Sequence, residues 1–357
     1  YIDGGSDDER TLNRNTEAFD DCDLVPKILA NVGKPDLSTT VFGRKISMPI
    51  FLSPAAMQRL YHPEGDKASA RAAEKFNTFY SMSTMSNNSI EQIANLSSGP
   101  KLFQLYIHKD QSITDDLIDR CKRANFDGLC LTVDTIVAGN RERDHRTGFT
   151  TPPKLTLKSL FSFAIKPKWV FDYLTNEKFE LSNVKNKTDK GTNITKSVIE
   201  YINEQYDPGM NWSDAEYVVK RWDKPFAIKG VMSVEDAKRA VDIGCTAIMI
   251  SNHGGRQLDG SRSPFDQIKL ISDAVGDKVD IILDGGVRRG THVLKAIAAG
   301  AKACSFGKAF LFSLSAGGQK GVEKLLQNMH DEIQRNMILM GCKNLKDLNY
   351  SRLIFRR

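Results

Sequence analysis

Ala247-Ile-Met-Ile-Ser251-Asn-His253-Gly-Gly-Arg256-Gln257 is an apolar run that stops abruptly on polar, glycine-rich chain. Its first part suits a strand buried on both faces. The two glycines then let backbone lie flat against a neighbour. A histidine and an arginine stand three residues apart across them. An imidazole moves protons near neutral pH, and a guanidinium holds a carboxylate with two parallel bonds. A tight turn with a solvated Arg256 and a satisfied His253 would read the same way. What separates the two readings is whether other strands end alike.

They do. Apolar runs recur at 49–53, 79–83, 102–107, 128–133, 226–229, 247–251, 281–284 and 303–306. Helical patterns lie between them at 65–76, 89–96, 113–124, 233–243 and 291–299, with 322–340 as a closing helix. Ser89 followed by Gln92 has the order of a capping box, and Gly244 and Gly300 are helix stops. Eight apolar strands alternating with helices predict an α/β fold, a (β/α)8 TIM barrel. A doubly wound sheet would need a GxGxxG fingerprint after its first strand, and none follows strand one or five.

One connection breaks the rhythm. Residues 135–224 separate strand four from strand five, far more than an ordinary connection of about six residues. We therefore expect one domain over 1–357 with a long insertion after strand four. Within it, 155–174 carries Phe161, Phe163, Trp169, Phe171 and Tyr173 beside Lys158, Lys166 and Lys168. Such a stretch either packs on the barrel or touches an anionic membrane surface.

The chain has 357 residues, 40% apolar and 26% charged, with a net charge of +6, as expected of a globular protein with a sizeable core. No basic tract, zinc-finger spacing or aromatic–basic interleaving points to nucleic acid. Six cysteines without CxxC pairing predict reduced thiols. No apolar run reaches the length of a spanning helix, and no signal peptide is visible. The chain begins at Tyr1 and not at Met, so a preceding segment is expected.

In a barrel the strand ends form the site. Standing there are Ala55-Ala56, Ser83, Gln104 with Tyr106, Thr132 with Asp134, Lys229, Ser251 with His253, Asp284 with Gly286, and Gly307-Lys308. Polar groups closing so many buried strands call for a flat, multiply polar ligand. Asp284-Gly-Gly-Val-Arg288-Arg-Gly290 and Gly307-Lys308 fall where barrels bind phosphate. Lys229, alone in an apolar strand, reads either as a Schiff-base nucleophile or as a cation steadying charge on a reduced ring. Arg141 and Arg256 suit a carboxylate, with Tyr1 and Tyr106 adding hydroxyls. Asp134 suits an aspartate that orients His253 and favours its protonated form, or one that caps a helix.

These motifs, with Phe103-Gln-Leu-Tyr106, Leu131-Thr-Val-Asp134, Arg141-Glu-Arg-Asp144 and Ile228-Lys-Gly230, resemble the FMN-dependent L-2-hydroxy acid dehydrogenases and oxidases. That family includes glycolate oxidase, (S)-mandelate dehydrogenase and the bacterial membrane-associated L-lactate dehydrogenase. The resemblance spans the whole chain. It implies a (β/α)8 barrel holding FMN, commonly a homotetramer, with His253 as base and Asp134 as its partner. It places the substrate carboxylate on Arg141, Arg256 and Tyr1, and Tyr106 at the hydroxyl end. It places the flavin ring against Ala55, Ala56, Ser83, Gln104, Thr132 and Lys229, and counts Ser251 among the cofactor-binding residues. It places ribityl and phosphate on Asp284, Gly286, Arg288, Gly307 and Lys308.

Two positions depart from the family pattern. Lys308 stands where many members have arginine, and Met85 where glycolate oxidase has tryptophan. In length and texture the insertion is most similar to the bacterial L-lactate dehydrogenase. The resemblance thus implies oxidation of L-lactate to pyruvate, a quinone acceptor and peripheral attachment to the cytoplasmic face of the inner membrane. The alternatives are a soluble cytoplasmic protein, an oxygen-using hydroxy acid oxidase or an (S)-mandelate dehydrogenase. From another class, a Schiff-base aldolase or isomerase using Lys229 remains.

Overall fold

The structure is a computed structural model that describes residues 2–148, 157–176, 179–184 and 205–356. Eight parallel strands close a barrel: β1 (Ile50–Leu52), β2 (Tyr80–Ser83), β3 (Lys101–Leu105), β4 (Gly128–Thr132), β5 (Phe226–Val231), β6 (Ala247–Ile250), β7 (Asp280–Asp284) and β8 (Ala303–Phe306). Each pairs with its sequence neighbours, and β8 returns to β1. All eight expected strands are present, because each is a short apolar run bounded by a turn signal.

Two layers of core form, as alternation along a barrel strand requires. Phe51, Leu102, Cys130, Ala227, Met249 and Ile282 fill the inside. A two-stranded hairpin, Thr39–Val41 with Arg44–Ile46, adds Val41, Phe42 and Ile46 to that cluster. Its two-residue turn has Phe42 at φ 50° and Gly43 at φ 71°, the left-handed pair such tight turns need. The Phe42 amide donates to Asp280 at the start of β7, and its ring meets Phe79 at 5.6 Å, so the hairpin stoppers the strands' N-terminal end. In the sequence, residues 23–44 read only as irregular chain with edge pairings, so the hairpin is not resolved there.

The outer layer packs helices on the strands. Ser89 and Gln92 do form a capping box on Ile90–Leu96. Two of the helices on the barrel's outside have no counterpart among the expected patterns. Pro264–Val275 follows β6 behind a Ser263 cap with proline in the first turn, and Trp212–Trp222 starts at an Asn211 capping box. The last helix begins earlier than expected, spanning Lys308–Leu339 with a break at Gly317 and Gly318. A Cβ at Gly318 would come within 2.6 Å of the His62 ring.

The first helix, Arg10–Asp20, lies across the strands' C-terminal end. Its Glu9 makes no side-chain cap, and Asp259 instead accepts the Thr11 amide at 2.7 Å and the Arg10 amide at 3.2 Å. A carboxylate at a helix N-terminus satisfies otherwise orphaned N–H groups. The end of the His253 motif thereby fastens the N-terminal helix over the barrel mouth.

The insertion shows two helices, Leu157–Ala164 and Pro167–Thr175, packed as a pair. Residues 155 and 156, and the side chains of Lys158 and Lys168, lie outside what is described. The five aromatics do not act as one patch. Trp169 turns inward, donating to the Leu60 carbonyl at 2.9 Å and stacking between Phe163 and Tyr173. Phe161 (71% exposed), Phe171 (65%) and Leu174 (74%) face outward with Leu160 and Ile165. Among the described residues no helix is long and apolar enough to cross a membrane. All six cysteines are free and buried.

Candidate active site

A single cavity at the C-terminal ends of the strands is lined by residues from every one of the eight strand ends. It gathers Ala55, Ala56, Ser83, Gln104, Tyr106, Thr132, Arg141, Lys229, His253, Arg256, Asp284, Gly286, Arg288, Gly307 and Lys308. Of the expected residues, Asp134 and Ser251 stand behind the lining. Tyr1 lies outside the described residues.

His253 follows β6 with φ 58°, a left-handed conformation unusual for a residue with a Cβ. Its Nδ1 lies 2.9 Å from Asp134 Oδ1 and 3.2 Å from the Thr135 hydroxyl. Its own amide donates to Ser251 Oγ at 3.0 Å. Burial pushes the Asp134 carboxyl up, but His253 and Lys229 outweigh it and hold the group below the ordinary value. Asp134 is therefore an anion set against the imidazole. With Nδ1 engaged, Nε2 is the nitrogen left to exchange a proton, the general arrangement for an oriented base.

Lys229 is buried and salt-bridged to Asp284 at 2.8 Å, and it donates to Ser251 Oγ at 2.9 Å. Asp284 also accepts from Ser251 and Ser305, at 2.8 and 2.6 Å, and from Ser53. Burial raises the Asp284 carboxyl, yet the Lys229 charge and these donors bring it down to about 2. Burial likewise lowers Lys229, but Asp284 and Asp134 carry it above the ordinary lysine value. An amine nucleophile needs the opposite shift, so the Schiff-base reading loses its chemistry. Ser251 is fully buried as the hub of this network and does not line the cavity.

The cationic residues divide by position. Arg141 is braced by Asp144 at 2.9 Å, and Arg256 donates to the Gly4 carbonyl at 2.7 Å. Arg288 and Lys308 stand after β7 and β8. Burial and the charges of Arg256 and Arg288 push Lys308 down to about 8. Gly307 precedes a helix whose first turn has no side-chain cap, leaving N–H groups for an anion.

A flavin fits this donor set on two counts. Gln104 Nε2 and Thr132 Oγ1 are buried without a partner among the described residues, and both residues line the cavity. Such orphaned polar atoms are what the polar edge of a flavin ring satisfies. At the far side the Arg288–Lys308 pair and the open helix end suit a single phosphate.

Several residues at the site have no local signal. Asn15 exchanges paired amide bonds with Asn252 at 2.8 and 2.7 Å, and a Cβ at Gly286 would meet the Asn15 carbonyl at 2.0 Å. Tyr206, from the far end of the insertion, packs its ring at a tilt against Tyr106, centroids 4.7 Å apart, and donates to Met85 Sδ at 3.4 Å. Thr135, Ser53 and Ser305 adjoin strand ends, a position that could have flagged them.

A family model described as FMN-dependent dehydrogenase matches residues 1–355. The chain belongs to that family. It is an FMN-dependent oxidoreductase. Over 354 residues it is 38% identical to glycolate oxidase 5 of Oryza sativa subsp. japonica, covering 99% of this chain and 90% of the relative. It is equally, at 38%, identical to the L-lactate oxidase of a Nostoc species, over 98% of this chain and 92% of that one. The solved structure of the monotopic membrane protein (S)-mandelate dehydrogenase superposes with a TM-score of 0.94 at 31% identity, covering 99% of this chain and 94% of that chain. Family membership also sets aside the aldolase and isomerase reading.

Proposed function

We propose that the protein oxidises L-lactate to pyruvate on FMN and passes the electrons to a membrane quinone. The observation that carries the reaction is the His253–Asp134 pair facing a cavity that also holds Arg141 and Arg256. Glycolate, lactate and mandelate, named in the relatives, are all 2-hydroxy carboxylates, so the expected substrate has one carboxylate and one adjacent hydroxyl. Arg141 and Arg256 bind the carboxylate, with Tyr1 as a third group, and Tyr106 contacts the hydroxyl. His253 takes a proton from the substrate, and Asp134 stabilises the imidazolium that results. Bound FMN supplies the two-electron acceptor chemistry.

In this reading Ala55, Ala56, Ser83, Gln104, Thr132 and Lys229 surround the ring, with Ser251 holding Lys229 from behind. Lys229 is a fixed cation, suited to negative charge on a reduced ring. Asp284 and Gly286 face the ribityl chain, and Arg288, Gly307 and Lys308 the phosphate. Met85, which lines the cavity with Tyr106, stands where glycolate oxidase has tryptophan, and this favours lactate over glycolate.

The acceptor rests on the outward face of the two insertion helices. Phe161, Phe171, Leu160, Ile165 and Leu174 are large apolar groups in contact with solvent beside Lys166. A short apolar patch next to a lysine suits shallow insertion at a bilayer surface. The likeness to a monotopic membrane protein supports the same assignment. We accordingly read the protein as peripheral on the cytoplasmic face of the inner membrane; that it is a homotetramer is what the family resemblance implies. The oxidase names of the curated relatives favour a second reading, with oxygen as acceptor.

One comparison tests both. The enzyme is reduced anaerobically with L-lactate, glycolate or (S)-mandelate, then reoxidised by oxygen or by a short-chain quinone. Fastest reduction by L-lactate and preference for quinone are expected. Rapid peroxide formation makes it an oxidase, and preference for another acid replaces the substrate. Replacing residues 155–190 with a Gly/Ser linker should abolish binding to anionic vesicles. Unchanged vesicle binding in a folded protein removes the membrane role of this stretch.

A further inference from the structure

The loop after β4, residues 134–140, holds no regular structure, yet it delivers the partner of His253 and leads directly into Arg141. Such a loop needs external bracing if its two ends are to stay where chemistry wants them. Gln257, four residues after His253, supplies three bonds to it. Its amide Nε2 donates to the carbonyls of Asp134 and Val137 at 2.9 and 2.8 Å. Its Oε1 accepts the Gly139 amide at 3.1 Å. One planar amide, with two donors and an acceptor in fixed relation, thus meets three backbone groups within six residues.

The two loops also touch directly. A Cβ at Gly139 would lie 2.2 Å from the Arg256 carbonyl, so glycine alone allows the approach. Asp134 is consequently gripped at both ends from one loop: its carboxylate by His253 and its carbonyl by Gln257. Arg256 stands between those two residues in sequence, and Arg141 follows the clamped stretch by two.

We propose that Gln257 is a positioning residue, whose side-chain amide locks the loop after β4 onto the loop after β6. By this clamp the His253–Asp134 pair and the Arg141–Arg256 pair are held in mutual register. The proposal rests on the reading of His253 as base and the two arginines as carboxylate ligands. Gln257 fits the task where its near-isosteres do not. Methionine keeps the length and loses all three bonds. Glutamate loses both donors and sets a negative charge against two carbonyl oxygens beside the Asp134 carboxylate.

The test compares Gln257→Met and Gln257→Glu with the wild type, all as flavin-loaded protein. Wild type is first offered L-lactate, glycolate and (S)-mandelate, and the acid that reduces it fastest is used throughout. Anaerobic stopped-flow then gives the limiting rate of flavin reduction and the half-saturating acid concentration, each per bound flavin. Flavin content and spectrum should be unchanged. Small misplacement of reacting groups costs up to about a hundredfold in rate. The limiting rate should therefore fall about tenfold in Gln257→Met and about a hundredfold in Gln257→Glu, with half-saturation raised in both because Arg141 moves with the loop. A Met variant matching wild type in rate and half-saturation overturns the clamp. So does a loss of activity that merely follows loss of flavin, which marks a structural role. If Gln257→Glu does not fold, the Met variant, which adds no charge, decides alone. Wild type that is reduced by none of the three acids overturns the hydroxy-acid reading itself, and the clamp's role with it.

Discussion

Removing the Lys229 charge should destabilise the protein in a way that acid relieves. Lys229→Met keeps the side chain's bulk and leaves Asp284 buried with only hydroxyl donors from Ser53, Ser251 and Ser305. Breaking one side of a buried pair costs about 3–5 kcal/mol, because the surviving charge is uncompensated. Unfolding entropy of about 2.1 cal/mol/K per residue gives roughly 0.75 kcal/mol/K for 357 residues, so the midpoint should drop by about 4–7 °C. The sign of the pH effect follows from the carboxylate. In wild type Asp284 is depressed from 3.8 to about 2, so its contribution is full above its unfolded value and is lost only as pH falls through about 2. Without Lys229 only the serine hydroxyls oppose desolvation, the largest influence on the group, and Asp284 should rise above its unfolded value. The penalty is then largest at neutral pH and fades as the group protonates. Differential scanning calorimetry from about pH 8 down to about pH 5, with saturating FMN and again without it, separates flavin linkage from the pair itself. The deficit should shrink with acid, and Lys229→Met with Asp284→Asn should recover most of it. A deficit constant across that range, or a double variant as unstable as the single one, would refute the argument.

Two further outcomes follow from the phosphate end of the cavity. Lys308 sits at about 8 because burial and two neighbouring arginine charges disfavour its ammonium. An anion needs that ammonium, so FMN affinity should weaken above about pH 8, by up to about tenfold per pH unit for one linked proton. Fluorescence titration of FMN at several pH values checks it; Lys308→Arg should flatten the dependence, and a flat wild-type profile sinks the assignment. Gly286→Ala should cost more stability than Gly254→Ala. Both positions have positive φ, worth about 1–2 kcal/mol, but only at Gly286 does a Cβ meet backbone, the Asn15 carbonyl at 2.0 Å. Equal unfolding midpoints in denaturant would show that the N-terminal helix yields freely there.

The barrel was legible in the sequence because its determinants are local. Each strand from β1 to β8 is a short apolar run ending on polar or glycine-rich chain, and a strand buried on both faces needs no partner's sequence to be recognised. The same ends exposed most of the cavity lining, since parallel strands in a closed barrel deliver their C-termini to one rim. His253, Arg256, Lys229 and Asp284 could thus be assigned to one site before any contact was known. Other features belong to tertiary structure alone. That Ser251 serves Lys229 and Asp284 from behind the lining depends on which strand lies beside which. Phe42 takes a left-handed turn against its own preference because Asp280 and Phe79 hold it there. The insertion aromatics look alike in sequence, yet Trp169 packs on Leu60 while Phe161 and Phe171 stay in solvent. Asn15, Tyr206 and the Gln257 amide reach the site across separations of roughly 100 residues or more, and no periodicity encodes such meetings. Sequence set which residues face the barrel mouth; only the packing of distant loops decided which of them hold one another in place.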